Sequence, residues 1–404
     1  MKPIPVLHVL LHSPWYFRDP SRPMDEEAMA DDWHVRTALA LEHAFPGRYA
    51  LECWRPDWRE KHTKQANVRG LACRIFPSRR APFDKFSYEV SLPLLGALWR
   101  KARRERFILH VHEMHSTAGI LAAFLPGGAV KAAHTHGTPP VGLRLQVGRP
   151  LAKRLPLGIL LPLENAALGH YRHLFAIADK ELDYLRGRGL PASKLTMGVD
   201  FETFVPRDKA QARERLGLPR DARIVLYTGR NFRLKGVDAL LNAMDEVRVR
   251  DPRACLVMVG GLPQDELHRE VAARADRNLG RVPASMMPDY LASCDLCVPN
   301  VADPGLLGIG MATVEAWAMD VPVLTSALGE FPGVEAERAL LGVHFRPGRG
   351  DLSQAIQEGL ALSGRISPRE TARQHYDWPV IAAQVAKVYD RIWETTSQLR
   401  VEEK

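Results

Sequence analysis

Two strand-to-helix junctions carry residue types that can hold a phosphate. In "LYTGRNFRLKG" a strand ends at Gly229, Arg230 follows, and Lys235 and Gly236 open a helix. Arg offers a planar fork of donors, Lys a mobile point charge, and the helix N-terminus adds its dipole, so the loop suits a diphosphate. The same loop also reads as a solvated basic turn. In "LLGIGMATVEAWAMDVPVLTSALGE", Leu306 to Glu330, Gly308 and Gly310 precede a short apolar helix with one acid on it, Glu315. Glycines there let a ligand approach the amides of Gly308 to Met311. Glu315 can accept paired hydrogen bonds from the vicinal hydroxyls of a ribose, or it is an ordinary helix acid favoured by the dipole.

The elements around these junctions follow from hydrophobic patterning. Strand candidates in the first half are "PVLHVLL", "YALEC", "FILHVH", "VKAAH" and "LFAIA"; in the second they are "RIVLYT", "ACLVMVG", "LCVP" and "VPVLT". Amphipathic stretches such as "VDALLNAMDEVRVRD" lie between them. This alternation predicts an α/β protein with parallel sheets covered by helices on both faces. A charged, turn-rich passage near Pro206 divides the chain into two doubly wound Rossmann-like domains, 1–206 and 207–375, followed by a C-terminal helix over 376–404. Ligands in such sheets bind at the carboxyl ends of strands, so the βα loops are where function is read.

Composition sets outer bounds. The 404 residues are 46% hydrophobic and 25% charged, as in a soluble globular protein with ample core. The longest apolar runs are shorter than a membrane span and broken by Pro or Gly, and "MKPIPVLHVLLHSPWYF" suits a first strand better than a leader, so a cytoplasmic protein is expected. Five cysteines, an odd number, argue against a disulfide framework. Cys294 and Cys297 have redox spacing, but the second falls on an expected strand, which favours two packed thiols. The net charge of +8 calls for an anionic partner: a phosphorylated ligand, an acidic membrane surface or nucleic acid. No nucleic-acid recognition motif or aromatic platform is present, so nucleic acid is not expected. "PLLGALWRKARRERF" and "RLQVGRPLAKRLP" are basic and amphipathic, reading either as solvated faces or as contacts with an anionic membrane.

Taken in order, these motifs resemble the retaining GT-B glycosyltransferases of the large glycogen-synthase-related family four, glycosyl transferases group 1. "TGRNFRLKGVDALLNAM" is similar to that family's "GR-x4-KG-hydrophobic" loop. "DYLASCDLCVPN" with the later "GIGMATVEAWAMDVPVLTSALGE" is similar to its block of glycines, helix acid and following strand. "KAAHTHGTPP", the passage from "LENAALGHYRH" to "LTMGVDFETFVP", and the closing "YDWPVIAAQVAKVYDRI" resemble three further family segments. The likeness is good from about 130 to 400 and weak in the N-terminal third.

The resemblance implies a GT-B fold with a deep interdomain cleft, a nucleotide-diphosphate sugar as donor and a glycan, lipid-linked or small-molecule acceptor. It implies that Arg230 and Lys235 hold the donor diphosphate and stabilise the leaving group, and that Glu315 holds the ribose. Gly229, Gly308, Gly310, Met311 and Ala312 would line the donor site, His136 would meet the transferred sugar, and Gly329 and Glu330 would lie near the base. No cofactor and no metal are expected, since the family's transfer chemistry needs none. The histidines of "HVHEMH" (His110, His112, His115) and "HTHG" (His134, His136) are accordingly expected to pack rather than to ligate.

Two departures stand out. Where the family usually has a second acid contacting the sugar, this chain has Leu307; Asp303 is the nearest acid, at a different spacing. The family's N-terminal Gly-Gly loop is absent, and the region reads "DPSRPMDEEAMADDWHVRTALAL". Asp31, Asp32 and His34 there either serve an unusual acceptor or cap the next helix, with capping favoured. The same departures leave open a catalytically degenerate nucleotide-sugar-binding or scaffold subunit.

Overall fold

The structure is a computed structural model that describes residues 2–11, 26–79, 89–136, 138–146, 151–230, 232–261, 267–303, 305 and 308–402. It divides into two compact units, Met1–Leu195 with Ile381–Lys404, and Thr196–Val380. The division falls ahead of Pro206 because the intervening chain belongs to the second core: Val199 pairs with Asp377, and Phe201 is fully buried among that unit's apolar side chains.

In the first unit the apolar runs form β1 (Ile4–Leu10), β2 (Tyr49–Asp57), β3 (Lys64–Val68), β4 (Leu71–Pro77), β5 (Phe107–His112), β6 (Ala129–His134), β7 (His173–Ala176) and β8 (Ala192–Lys194). They make one sheet in the order β3-β4-β2-β1-β5-β6-β7-β8. All neighbouring pairs are parallel except β3 and β4, an antiparallel edge that the expectation of parallel sheets did not include. Its strands are short and carry charge, which is how exposed sheet edges avoid pairing with other chains.

The second unit holds β9 (Arg223–Gly229), β10 (Ala254–Gly260), β11 (Arg277–Asn278), β12 (Leu296–Asn300), β13 (Val323–Thr325) and β14 (Gly342–His344), in the order β11-β10-β9-β12-β13-β14 and parallel throughout. Two apolar clusters, around Trp317 and around Leu241, belong to its core. Strand order reverses between β1 and β5 in one sheet and between β9 and β12 in the other. Those reversals are the crevices where open α/β sheets bind ligands.

The last helix, Trp378–Glu402, leaves the second unit and packs on the first from Ile381 onward. Asp390 accepts from Arg48 at 2.5 Å and from Tyr49 Oη at 3.0 Å, and Arg106 donates to Trp393 O at 2.8 Å. The same helix places Tyr389 over the centre of the first sheet. There the register sets His8 beside His110 and His112 beside His134. These four histidines are fully buried in the middle of a parallel sheet, a place usually filled by aliphatic side chains.

Burial keeps these rings neutral. It lowers His8 to about 3 and His134 to about 4, and it holds His110 and His112 well below the usual imidazole range with help from their neighbours' charges. A group whose folded value is depressed contributes stability that is present above its unfolded value, near 6.5, and lost as pH falls through the folded value. The melting temperature is therefore expected to fall as pH drops from 6.5 toward 3, with proton uptake on unfolding. Calorimetry should show a shallower fall in His8→Gln; equal slopes would mean that His8 titrates alike in both states.

Close approach of β9 and β10 at their carboxyl ends depends on Gly260. Its φ is +102°, and a Cβ there would meet Gly229 O at 2.0 Å. Gly260→Ala is expected to destabilise the second unit by about 2–4 kcal/mol through overpacking and backbone strain. Denaturant titration checks this, and a loss below 1 kcal/mol would mean that the two strand ends separate freely.

Candidate functional site

At the reversal between β9 and β12 two loops meet. The first leaves Gly229, passes Arg230, makes a 3-10 turn over Arg233–Lys235 and enters the helix Val237–Arg250 through Gly236. Gly236 has φ +73°, and a Cβ on it would lie 3.0 Å from the amide of Ala302. Val301 N donates to Lys235 O at 3.0 Å, so the loop after β12 is tied to the loop after β9. A side chain at 236 would push these loops apart.

This packing sets the electrostatics. Lys235 lies over Gly229, where a Cβ would come within 3.1 Å of its Nζ. Burial and the nearby Arg230 guanidinium both lower its pKa. Among the described residues no carboxylate forms an ion pair with Lys235. Two positive side chains thus meet at the carboxyl end of β9, and the second adds to the cost of charging Lys235.

The second loop ends at Gly310, the N-cap of the helix Met311–Ala318. No side chain caps this helix, and the space beside Gly310 is open for at least 4 Å from an ideal Cβ. The first amides of the helix, from Met311 and Ala312, are therefore left for water or a ligand. Gly308 turns the chain into this position with φ +59°. Glu315 sits on the same helix, and its charge reaches Cys297 on β12. Gly329 and Glu330 lie in a 3-10 turn, Ser326–Glu330, after β13. Arg230, Lys235, Gly310 and Glu315 are thus on the loops and helix that flank one crevice.

Asp303 has a local use: its Oδ1 accepts from Gly305 N at 2.8 Å and closes a turn in the loop. Leu307 lies outside the described residues. Cys294 and Cys297 are buried free thiols, with Cys294 Sγ donating to Leu291 O. A cavity of ≈ 530 Å³ lined by Pro219, Asp221, Pro252 and Arg277 opens at the amino ends of β9 and β10, the end of the sheet away from these loops.

In the first unit His136 follows β6 and is buried. Trp33, the first residue of the helix Trp33–Ala44, packs on its ring at 4.6 Å between centroids. The loop around His136 is held by buried acids. Glu181 accepts from Thr135 Oγ1 at 2.5 Å, Glu113 from Thr138 N at 3.2 Å, and Glu164 from Val141 N at 2.8 Å. His115 lies between two of these acids, 2.8 Å from Glu164 and 3.2 Å from Glu181. Against the opposing effect of burial, the two carboxylates raise it to about 9, so it is protonated at neutral pH. These clamps escaped the sequence reading. Glu164 and Glu181 stand in the passage that runs from "LENAALGHYRH" to "LTMGVDFETFVP", but only long-range pairing shows what they hold.

Asp32 and His34 do not do what the sequence suggested. Asp32 occupies the N-cap position of Trp33–Ala44 but makes no side-chain cap. Its carboxylate instead meets the buried guanidinium of Arg55 at 2.5 Å, because a charge on Arg55 in that interior needs an opposite charge. His34 is fully buried, and burial holds it well below the usual imidazole range. It lies 6.0 Å from the ring of His112, within the sheet-covering layer rather than on an acceptor surface.

The histidines also test the metal expectation. His8, His110 and His112, and His112, His134 and His136, form two groups whose ligand atoms lie within 4.8 Å of one another. Two nitrogen pairs are close: His112 Nδ1 to His136 Nε2 at 2.7 Å and His112 Nε2 to His8 Nδ1 at 3.1 Å. Ligands about 2.0–2.1 Å from a tetrahedral zinc stand roughly 3.3 Å apart. At 2.7 and 3.1 Å the paired rings are within hydrogen-bond distance of one another.

Residues 222–361 match the family model described as Glycosyl transferases group 1. The chain is 28% identical over 294 residues to phosphatidyl-myo-inositol mannosyltransferase of Mycolicibacterium smegmatis, covering 70% of this chain and 71% of that protein. It is 31% identical over 231 residues to D-inositol 3-phosphate glycosyltransferase 2 of Catenulispora acidiphila, spanning 52% of this chain and 53% of that one. Its fold is similar to that of sucrose-phosphate synthase from Thermosynechococcus elongatus, with TM-score 0.69, 20% identity and 97% and 100% of the two chains covered. It is similar also to Anabaena HepE in complex with UDP, with TM-score 0.63, 16% identity and 96% and 100% covered. Residues 222–361 are thus similar to the glycosyl transferases group 1 family, and the two α/β units have the GT-B fold.

Proposed function

We propose that the protein is a retaining, metal-independent glycosyltransferase that takes its sugar from a nucleotide-diphosphate donor. The observation that carries this reading is Lys235: a partly buried cation, beside Arg230, without an ion-pair partner among the described residues. Breaking a sugar–phosphate bond builds negative charge on the departing diphosphate. Two positive side chains and the open N-terminus of Met311–Ala318 are placed to stabilise that charge as it develops. They supply what a divalent ion supplies elsewhere. Glu315 binds the ribose hydroxyls, and the amides from Gly310 to Ala312 bind the donor. The departing phosphate takes the acceptor's proton on the face it leaves.

Support for the donor class comes from the HepE structures, one with UDP and one with UDP-glucose. The names of the relatives, phosphatidyl-myo-inositol mannosyltransferase and D-inositol 3-phosphate glycosyltransferase, support a hydroxyl-rich cyclitol acceptor, free or lipid-linked. A lipid-linked acceptor fits the helix Leu92–Arg104. It exposes Leu92 and Trp99 and carries basic residues in its last turn, with Arg103 stacked 4.6 Å from the Trp99 ring centre. Basic amphipathic helices of this kind lie on anionic membranes. Among the described residues no helix is long and apolar enough to cross one.

Arg230→Ala and Lys235→Ala are each expected to lower turnover by about two to three orders of magnitude, the loss typical of an electrostatic transition-state group. Both lie in loops, so circular dichroism should be unchanged. A panel of nucleotide sugars, assayed for transfer and for slow hydrolysis, gives the readout. Near-normal turnover in either variant removes the clamp from the mechanism, and no turnover of any donor favours a scaffold.

Glu315→Gln is expected to weaken binding of the free nucleoside diphosphate about tenfold, since charge-assisted hydrogen bonds become neutral ones. Calorimetry with UDP and GDP measures this. Unchanged affinity for both would make Glu315 an ordinary helix acid.

A further inference from the structure

The loop that leaves β6 is pinned along its length. Thr135 N donates to Phe175 O at 3.2 Å, and Thr135 Oγ1 donates to Glu181 at 2.5 Å. Thr138 N donates to Glu113 at 3.2 Å, Val141 N to Glu164 at 2.8 Å, and Arg144 N to Pro140 O at 3.0 Å. Pro139 and Pro140 carry no amide to satisfy. Thr138 Oγ1 departs from this pattern. It is buried and has no hydrogen-bond partner among the described residues, although Glu113 receives the amide of the same residue. Buried hydroxyls are in the large majority paired, so one left over in a loop so firmly held needs a reason. Thr138 is 5% exposed and its neighbour Pro139 is half-buried, so the loop reaches the surface at this point.

The pinning carries strain. Glu113 has φ +69°, a region that residues other than glycine seldom adopt. Its carbonyl is pressed on Gly119, where a Cβ would come within 2.6 Å of it. Such strain clusters at ligand-binding sites and persists only where neighbours hold it. The acids behind the loop also set its charge. Glu113, Glu164 and Glu181 are buried, and among the described residues His115 is the only cation paired with any of them. Three carboxyl groups against one imidazolium disfavour an anionic ligand group nearby. They suit a neutral one, and Thr138 Oγ1 both donates and accepts, as a ligand hydroxyl does. Trp33 packs on His136, two residues before Thr138, so aromatic surface lies beside the loop.

We infer that Thr138 is a specificity-determining residue whose hydroxyl bonds a hydroxyl of a polyhydroxylated ring, a sugar or a cyclitol, held at the carboxyl end of the first sheet. That ring belongs either to the acceptor or to the sugar being transferred. Which reaction the contact serves rests on the function proposed above; the contact itself does not. Because Oγ1 has no partner in the chain, removing it takes no bond from the fold. Exchanging a buried, unpaired hydroxyl for a methyl is neutral or favourable to stability, whereas the same exchange strands a ligand hydroxyl without its partner. One substitution therefore separates a substrate contact from a structural one.

The test compares Thr138→Val, which keeps the branched shape, with Thr138→Ser, which keeps the hydroxyl. Donor probes are UDP-glucose and GDP-mannose, and acceptor probes are myo-inositol and its 3-phosphate. Thr138→Val is expected to melt at or above the parent temperature and to lose about ten- to a hundredfold in kcat/KM. Thr138→Ser is expected to keep most of the parent's activity. A loss that appears in the acceptor KM, with slow donor hydrolysis unchanged, assigns the ring to the acceptor. A loss shared by hydrolysis without acceptor assigns it to the transferred sugar. Two results overturn the inference. Turnover of Thr138→Val equal to the parent's means that water alone meets the hydroxyl, and melting well below the parent means that a bond within the fold does. Should the parent turn over no donor, the enzymatic reading falls and calorimetry decides the contact. Affinities for myo-inositol, and for UDP-glucose relative to UDP, then fall in Thr138→Val or the inference fails. A parent that binds none of these probes overturns both.

Discussion

Lys235 keeps a positive charge beside Arg230 with no described carboxylate paired to it, and the carboxyl end of the second sheet is arranged around that constraint. A cation pressed into protein loses solvation, and here a neighbouring cation adds repulsion. Such a site is stable only because the loops cannot relax. Gly236 lets the β12 loop close on the β9 loop at backbone distance, and Val301 N bonds Lys235 O. The strand order reverses at this point, where open α/β sheets bind ligands. Acids are kept at work elsewhere. Asp295, at the opposite end of β12, is taken by Lys209 and Arg213, and Asp303 closes its own turn.

The first sheet solves a different problem with different chemistry. Its central strands bury histidines where aliphatic residues would otherwise sit, and every buried polar atom there needs a partner or a reason to lack one. Pairing ring to ring, with Tyr389 as a link, meets most of that demand without burying charge. The charged pairs in this unit are kept apart from these rings. Asp32 neutralises Arg55, while protonated His115 is answered by Glu164 and Glu181. Glu164 and Glu181 in turn bond the backbone and Thr135 around His136. The loop carrying His136 is therefore fixed by ionic clamps on one side and by neutral rings on the other.

Much of this was legible in the sequence where the signal is local. The nine apolar runs became strands because a parallel sheet buried on both faces demands such runs. The Gly-Arg and Lys-Gly spacing survived as a loop because glycine is needed where the loops approach. Signals that depend on distant partners were not legible. Strands β3 and β4 are charged and short, and nothing in "KQANV" marks an edge until β4 is beside it. Asp32 looked like a helix cap because capping is a neighbour's task, while Arg55 lies in another strand. The histidines read as separate strand-end residues. Their pairing exists only through register, His8 beside His110 and His112 beside His134, and a one-residue slip would turn them to opposite faces.

Register also explains why the last helix matters to a loop it follows by most of the chain. Tyr389 comes from a helix, and it bridges the rings of His8 and His110. Its helix is held to the start of β2 by Asp390 through Arg48 and Tyr49, so its depth over the sheet is set by ionic and hydrogen-bonding contacts at the rim. Burial raises the Tyr389 phenol well above its usual range, which favours the neutral form. A neutral phenol both donates and accepts, so it can bond His110 and His8 at once. The helix that leaves the second unit and returns to the first thus supplies more than coverage for an apolar face. It completes the hydrogen-bonding of a buried polar layer, and through that layer it reaches the residue at the end of β6.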